Sequence, residues 1–200
     1  MNKFNKVLII GALTLLCLET QAQFSLTGGL NLSRFSTNST IEGYTPGSVK
    51  PGFYMGINKG FEITEMLSVD AGLLLNFKGE KYEYFSTEYL NLIYFDVPVV
   101  AKVHFNLLGI DSYVGLGPYL GIGIMSTYYD SNGRSYSLIV SNANESAYQR
   151  FDYGLASTAG IRFGRVGLNI SYTHGLPNVN QGLFLTQKNR VFSLGANYYL

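Results

Sequence analysis

The sequence predicts an all-β chain, an eight-stranded antiparallel up-and-down transmembrane β-barrel, and three observations carry that expectation. Apolar residues recur at every second position in segment after segment, with glycine or small polar residues between them. The connections between those segments alternate between very short and long. The N-terminus reads as an export signal. A period of two gives a strand two unlike faces. When one face is apolar along the whole chain and the other is Gly, Ser, Asn and Thr, the two faces meet lipid and a tight polar interior.

The N-terminus sets the compartment. Met1 to Lys6 is a short basic stretch, Val7 to Leu18 an apolar one, and Thr20-Gln21-Ala22 places small residues where signal peptidase needs them. Residues 1–22 are therefore expected to be a cleaved secretory signal peptide, and residues 23–200 one outer-membrane barrel domain. The apolar run falls short of the ~20 residues a spanning helix needs. Cys17 does not read as a lipidation site, because Leu16 precedes it where a small residue is wanted. Cleavage removes Lys3, Lys6 and Glu19, leaving 12 basic and 12 acidic residues and no cysteine. A neutral chain lacks the concentrated positive field of a nucleic-acid surface. It also has no thiol for a disulfide or a thiolate metal site.

Eight strands follow in order: Phe24–Arg34, Gly52–Glu62, Leu67–Lys78, Leu90–Phe105, Ser112–Met125, Arg150–Phe163, Val166–His174 and Asn189–Leu200. Each is about as long as the ~9–11 residues a tilted strand needs to cross a bilayer. Short connections are Ile63–Met66, Asn106–Asp111 and Gly164–Arg165; long ones are Phe35–Pro51, Gly79–Tyr89, Ser126–Gln149 and Gly175–Lys188. Short turns on one side and long loops on the other is the asymmetry of bacterial outer-membrane barrels, the short side being periplasmic. Beginning and ending on that side requires an even number of strands. The last strand runs to Leu200, an apolar end resembling the signal read by the barrel-assembly machinery, although Phe is the usual final residue.

Parity assigns the faces. Val166, Leu168, Ile170 and Tyr172 point outward against Gly167, Asn169, Ser171 and Thr173. Phe192, Leu194, Ala196, Tyr198 and Leu200 do so in the last strand. In the third, Leu67, Val69, Ala71, Leu73, Leu75 and Phe77 face out, and Ser68, Asp70, Gly72, Leu74, Asn76 and Lys78 face in. Outward aromatics gather at both ends: Phe61, Phe105, Phe163 and Tyr198 by the short turns, and Phe77, Phe95, Phe151 and Tyr172 by the loops. Such girdles belong to membrane interfaces.

Gly115-Leu-Gly-Pro-Tyr-Leu-Gly-Ile-Gly123 lacks the strand-then-helix setting of a nucleotide-binding loop. Its glycines share inward parity with Tyr119 and read as packing in a narrow lumen. Glu62, Asp70, Asp96, Lys102, Arg150, Asp152 and Arg162 also take inward parity. An eight-stranded barrel leaves an interior just wide enough for side chains to fill, so these charges are expected to compensate one another as a structural network. A proton or ion path is the alternative. His104 and His174 fall at opposite rims and cannot share a metal, so no metal, cofactor or catalytic residue is assigned. Pro98 removes a ladder donor, which predicts a bulge around Val97–Val99.

Tyr94-Phe-Asp-Val-Pro-Val-Val-Ala-Lys102 resembles a strand motif of the PorT-like outer-membrane β-barrel family. Tyr113 to Tyr119, Phe151 to Ala156, Ser171 to Asn178 and Asn189 to Gly195 are similar to that family's later strands. For the founding member the resemblance implies a role in type IX protein secretion; it implies no catalytic residue. The expected role is a non-enzymatic, monomeric outer-membrane scaffold with a filled lumen, meeting a protein partner through the loops Phe35–Pro51 and Ser126–Gln149. Outer-membrane lipid and, during insertion, the assembly machinery are the other expected partners, and nucleic acid is not one. A PorT-type secretion accessory or small transport component is the alternative, and a membrane-embedded enzyme the third reading.

Overall fold

The computed structural model describes residues 23–39, 45–83, 87–138, 148–180 and 185–200; the expected signal peptide lies outside them. Nine strands occur in these segments: β1 (Gln23–Ser39), β2 (Lys50–Thr64), β3 (Leu67–Glu83), β4 (Thr87–Leu107), β5 (Ile110–Tyr129), β6 (Ser135–Leu138), β7 (Phe151–Phe163), β8 (Val166–Gly175) and β9 (Leu185–Tyr199). Eight close a ring in the order β1-β2-β3-β4-β5-β7-β8-β9, with β9 returning to β1, and every pairing is antiparallel. The ninth, β6, pairs with Ser126–Tyr129 of β5, beyond the point where β7 has left that strand. The chain is thus an eight-stranded antiparallel barrel with one added ribbon.

Burial alternates as parity requires. In β8 the outward Val166, Leu168, Ile170 and Tyr172 are exposed, and in β9 so are Phe192, Leu194 and Tyr198. Their neighbours Ser193 and Asn197 are buried. Burial is inverted from that of a water-soluble protein, because lipid covers the outer face.

Several strands run well past the sequence-derived limits. Gly79–Tyr89, expected as a loop, is mostly ladder, since β3 and β4 stay paired as far as Glu83 and Thr87. Phe35–Ser39 continues β1 against β9, and Ser126–Tyr129 continues β5. At 21 residues, β4 spans about 55 Å along the axis for a typical rise and tilt, against an apolar band of about 25 Å. The outward face marks where lipid ends: Leu32 gives way to Arg34, Phe77 to Gly79 and Lys81, and Phe192 to Arg190.

No bulge forms at Pro98. Ala71↔Val99 and Leu74↔Asp96 keep one register across it. Gly72 stands opposite the proline, and a Cβ there would lie 3.1 Å from the Pro98 ring. A glycine partner thus makes room for the ring, so the strand need not bend to avoid it. The register shifts instead at Ile93/Tyr94, against β5. There Ile124 and Met125 are both exposed, a one-residue slip in parity.

The β4–β5 turn is tight. Leu108 (φ 54°) and Gly109 (φ 85°) both lie in the left-handed region, as a type I′ hairpin turn demands. Asn106 Oδ1 accepts from the Gly109 N–H at 2.8 Å. A leucine there carries a steric cost of about 1–2 kcal/mol that asparagine largely avoids. Leu108 is 94% exposed and loses little packing on replacement. Leu108→Asn is therefore expected to raise unfolding stability by about 1 kcal/mol, read as a higher urea midpoint with unchanged slope.

Candidate functional site

The lumen holds two separate charge clusters. The outer one centres on Lys78, which is 1% exposed. Its Nζ lies 2.9 Å from Asp96 Oδ2 and 3.5 Å from Asp152 Oδ2. The ladders build this arrangement: Asp96 faces Gly121 across β4–β5, and Gly121 faces Asp152 across β5–β7. A Cβ on Gly121 would come 2.5 Å from Asp96 Oδ1, so the glycine between the two acids is a packing requirement. Tyr119 Oη and Asn189 Nδ2 donate to Asp152 Oδ2 at 3.0 and 2.8 Å. Asn76 Nδ2 donates to Asp96 Oδ2 at 2.7 Å and passes the chain on to Asn31 and Ser193. Lys78 also sits over the Tyr94 ring at 4.5 Å from its centre, a geometry that attracts a cation.

Above this cluster the interior turns apolar. Phe35, Leu90, Leu92, Tyr94, Tyr148 and Val179 form one buried group. Tyr148 and Val179 reach it from the connections β6–β7 and β8–β9, where Tyr148 bridges to Asn180. Outside the bilayer the usual logic of a protein core returns, with water around the strands and apolar side chains between them.

The inner cluster lies at the short-turn end. Lys102 Nζ is 2.5 Å from Asp70 Oδ2 and sits over the Tyr113 ring at 4.2 Å. Both charges border a vestibule of about 430 Å³ at that end, with Glu62, His104, Arg162 and Tyr199. A smaller cavity of about 110 Å³ separates the two clusters. Ser68 Oγ and His104 Nε2 are 2.7 Å apart, and Ser68 Oγ is 3.4 Å from Asp70 Oδ1. In a catalytic triad the acid orients the histidine; here it faces the serine, and the His104 ring lies tilted against Tyr113 instead.

The seven expected network residues therefore separate. Asp96 and Asp152 meet through Lys78, and Asp70 meets Lys102. Arg162 bonds Gln23 Oε1 and the Gly164 carbonyl, and lies 4.0 Å from the Tyr199 ring centre. Glu62 is exposed at the same rim. Arg150 is not a lumen residue: it is exposed just before β7 at the opposite rim, where its carbonyl accepts from Gly123 N–H. Lys78 is the member missing from the expected network. The parity of β3 already pointed it inward.

Beyond the apolar band, the β3–β4 ribbon is tied to the segment before β2. Ser48 and Lys81 exchange backbone hydrogen bonds, and Ser48 Oγ donates to Glu83 Oε2 at 2.8 Å. Hydrogen bonds from Lys81 and Ser48 hold the Glu83 carboxyl below its ordinary range.

Three solved barrels are similar to this chain at low identity. The attachment invasion locus protein Ail of Yersinia pestis is 20% identical, covers 90% of this chain and all of its own, with a TM-score of 0.48. The neisserial surface protein A is 14% identical over 88% of this chain and 96% of its own, with a TM-score of 0.48. The N-terminal barrel domain of Pseudomonas aeruginosa OprF is 14% identical over 90% of this chain and all of its own, with a TM-score of 0.38. No curated protein matches the sequence. The family model described as outer membrane protein beta-barrel domain matches residues 19–181, most of the chain. A closed ring with a lipid-type outer face agrees with that match, and the chain belongs to the outer membrane protein beta-barrel domain family.

Proposed function

We infer that this outer-membrane barrel is a non-enzymatic, monomeric scaffold that presents binding surfaces to the exterior. The observation that carries the reading is the pairing of a filled lumen with ribbons that continue past the apolar band. Interior traffic would have to pass the apolar group around Leu90 and Leu92 and then the Lys78 cluster. The recognition surface is then strand ribbon as much as loop: the β3–β4 hairpin, the outer end of β1, and β5–β6. The closed ring leaves no free barrel edge to recruit a second copy. Export by a signal peptide of residues 1–22 and insertion by the barrel-assembly machinery belong to the same reading.

The test keeps the barrel and removes a ribbon. Residues 130–147 are replaced by a short Gly-Ser link, and partners are recovered from intact cells by surface cross-linking. The expected result is a properly inserted barrel that loses a partner retained by the native chain. An unchanged partner set after removal of this ribbon and, separately, of the β3–β4 tip would overturn the reading.

A PorT-type secretion accessory is the second reading. Two features favour it: the Tyr94–Lys102 motif and a charged vestibule at the short-turn end, where a periplasmic partner could dock. Charge reversal of Glu62 and Arg162 together should then block secretion without affecting barrel assembly. Normal secretion in that variant would remove this reading.

A further inference from the structure

The outer edge of β1, β9 and β8 carries an unusual arrangement of charge. Arg34 on β1 is the direct partner of Arg190 on β9, and Arg190 is the direct partner of His174 on β8. Lys188 lies two residues farther along β9, opposite Ser36. All four share outward parity with Leu32, Phe192 and Tyr172, the last apolar residues of their strands. The cations therefore form a band one step above the end of the lipid-facing surface, on the long-loop side.

Nothing in these strands compensates them. β1, β8 and β9 contain no Asp or Glu. The flanking β2 has only Glu62, at the opposite rim, and β7 only Asp152, inside the lumen. Glu80 of β3 turns inward, where its Oε1 accepts from Phe35 N–H at 3.1 Å, and Arg34 acts on its carboxyl only through space, without an ion pair. Among the described residues, Arg34, Lys188 and Arg190 form no ion pair. Like charges placed directly opposite each other weaken a strand pair, so an arginine pair with no ion-pair partner among the described residues favours an anion bound at this edge. One donor of Arg190, Nη1, is used on the Gly175 and Asn189 carbonyls, at 2.8 and 3.0 Å. These bonds anchor the guanidinium at the end of β8 and leave its other N–H groups available.

We propose that Arg34, Arg190 and Lys188, with His174 at their flank, bind the phosphate groups of the phosphorylated glycolipid of the outer leaflet. The position selects the ligand. A lipid whose acyl chains lie along Leu32, Phe192 and Tyr172 brings its sugar phosphates level with the cations. Guanidinium forks suit phosphate oxygens. Outward placement on the long-loop side favours the outer-leaflet lipid over phospholipid of the inner leaflet. The site rests on the outer-membrane location and not on the scaffold reading, so it stands or falls separately from any protein partner.

The test uses the refolded full barrel in detergent micelles, titrated with fluorescent diphosphoryl lipid A. Retained fold is checked by circular dichroism and by the faster gel mobility of the unheated barrel. The triple variant Arg34→Gln, Lys188→Gln, Arg190→Gln should bind about tenfold more weakly or worse, as expected when charge-assisted hydrogen bonds to a phosphate are lost. Lys59→Gln, at the opposite lipid boundary, should bind as the native chain does. Dephosphorylated lipid A should bind native and triple variant alike. Equal affinity of the native chain and the triple variant for diphosphoryl lipid A would overturn the proposal. So would equally tight binding of phosphatidylglycerol, which would mean a general anionic surface. Competition by inorganic phosphate at concentrations matching the lipid would likewise exclude a lipid site.

Discussion

Lys78→Met should destabilise the folded barrel by about 3–5 kcal/mol, the cost of leaving buried charge without its partner. The side chain is enclosed, and its ammonium stands between the Asp96 and Asp152 carboxylates. Removing it leaves two acids separated by one glycine-bearing strand, with Asp152 0% exposed and its Oδ1 without a partner among the described residues. The measurement is a urea titration in lipid vesicles followed by circular dichroism. Adding Asp96→Asn and Asp152→Asn to the same variant should restore most of the loss, because no uncompensated charge then remains. Lysine removal without effect would mean that the cluster is open to water and the lumen is not filled.

Leu194→Arg has the next largest expected effect, about 2–4 kcal/mol for a cation near the bilayer midplane. Leu194 is paired with Leu30 on one side and Ile170 on the other, and all three are exposed. Its neighbour Ser193 is buried and bonded to Asn31. Lys188→Arg on the same face should cost nothing, since a cation already stands there. The contrast between positions 194 and 188, about 20 Å apart along one strand face by the usual rise, would locate the lipid boundary directly. Equal tolerance at both would undo the face assignment.

The spanning part of the barrel was legible because lipid imposes a strict rule on alternate residues. Val166–Tyr172 and Phe192–Tyr198 give their faces by parity alone, and the glycines of Gly115–Gly123 are inward as that parity requires. The rule stops where lipid stops, although the strands do not. Lys81 and Glu83 interrupt the apolar alternation, so Gly79–Tyr89 reads as loop while its backbone stays in register. At Leu90 and Leu92 the pattern inverts, with apolar residues inside and water outside. A reader keyed to lipid outside has no signal there. The charge set was incomplete for a different reason. Parity brings residues to the same face but not to the same height, so Asp70–Lys102 and Asp96–Lys78–Asp152 merged into one expected interior. Arg150, read as inward, falls at the rim just before β7 begins, where its side chain is exposed. Pro98 misled because a bulge is only one way to accommodate a missing donor, and Gly72 on the facing strand supplies another.

In the proposed reading the barrel is closed and its interior is blocked by the Lys78 cluster and the apolar group above it. Single-channel recording of the purified chain in a planar bilayer would show whether that interior conducts. The expected result is a quiet membrane after verified insertion, with no stable open steps at either polarity. Reproducible steps in the nanosiemens range from the native chain would contradict it.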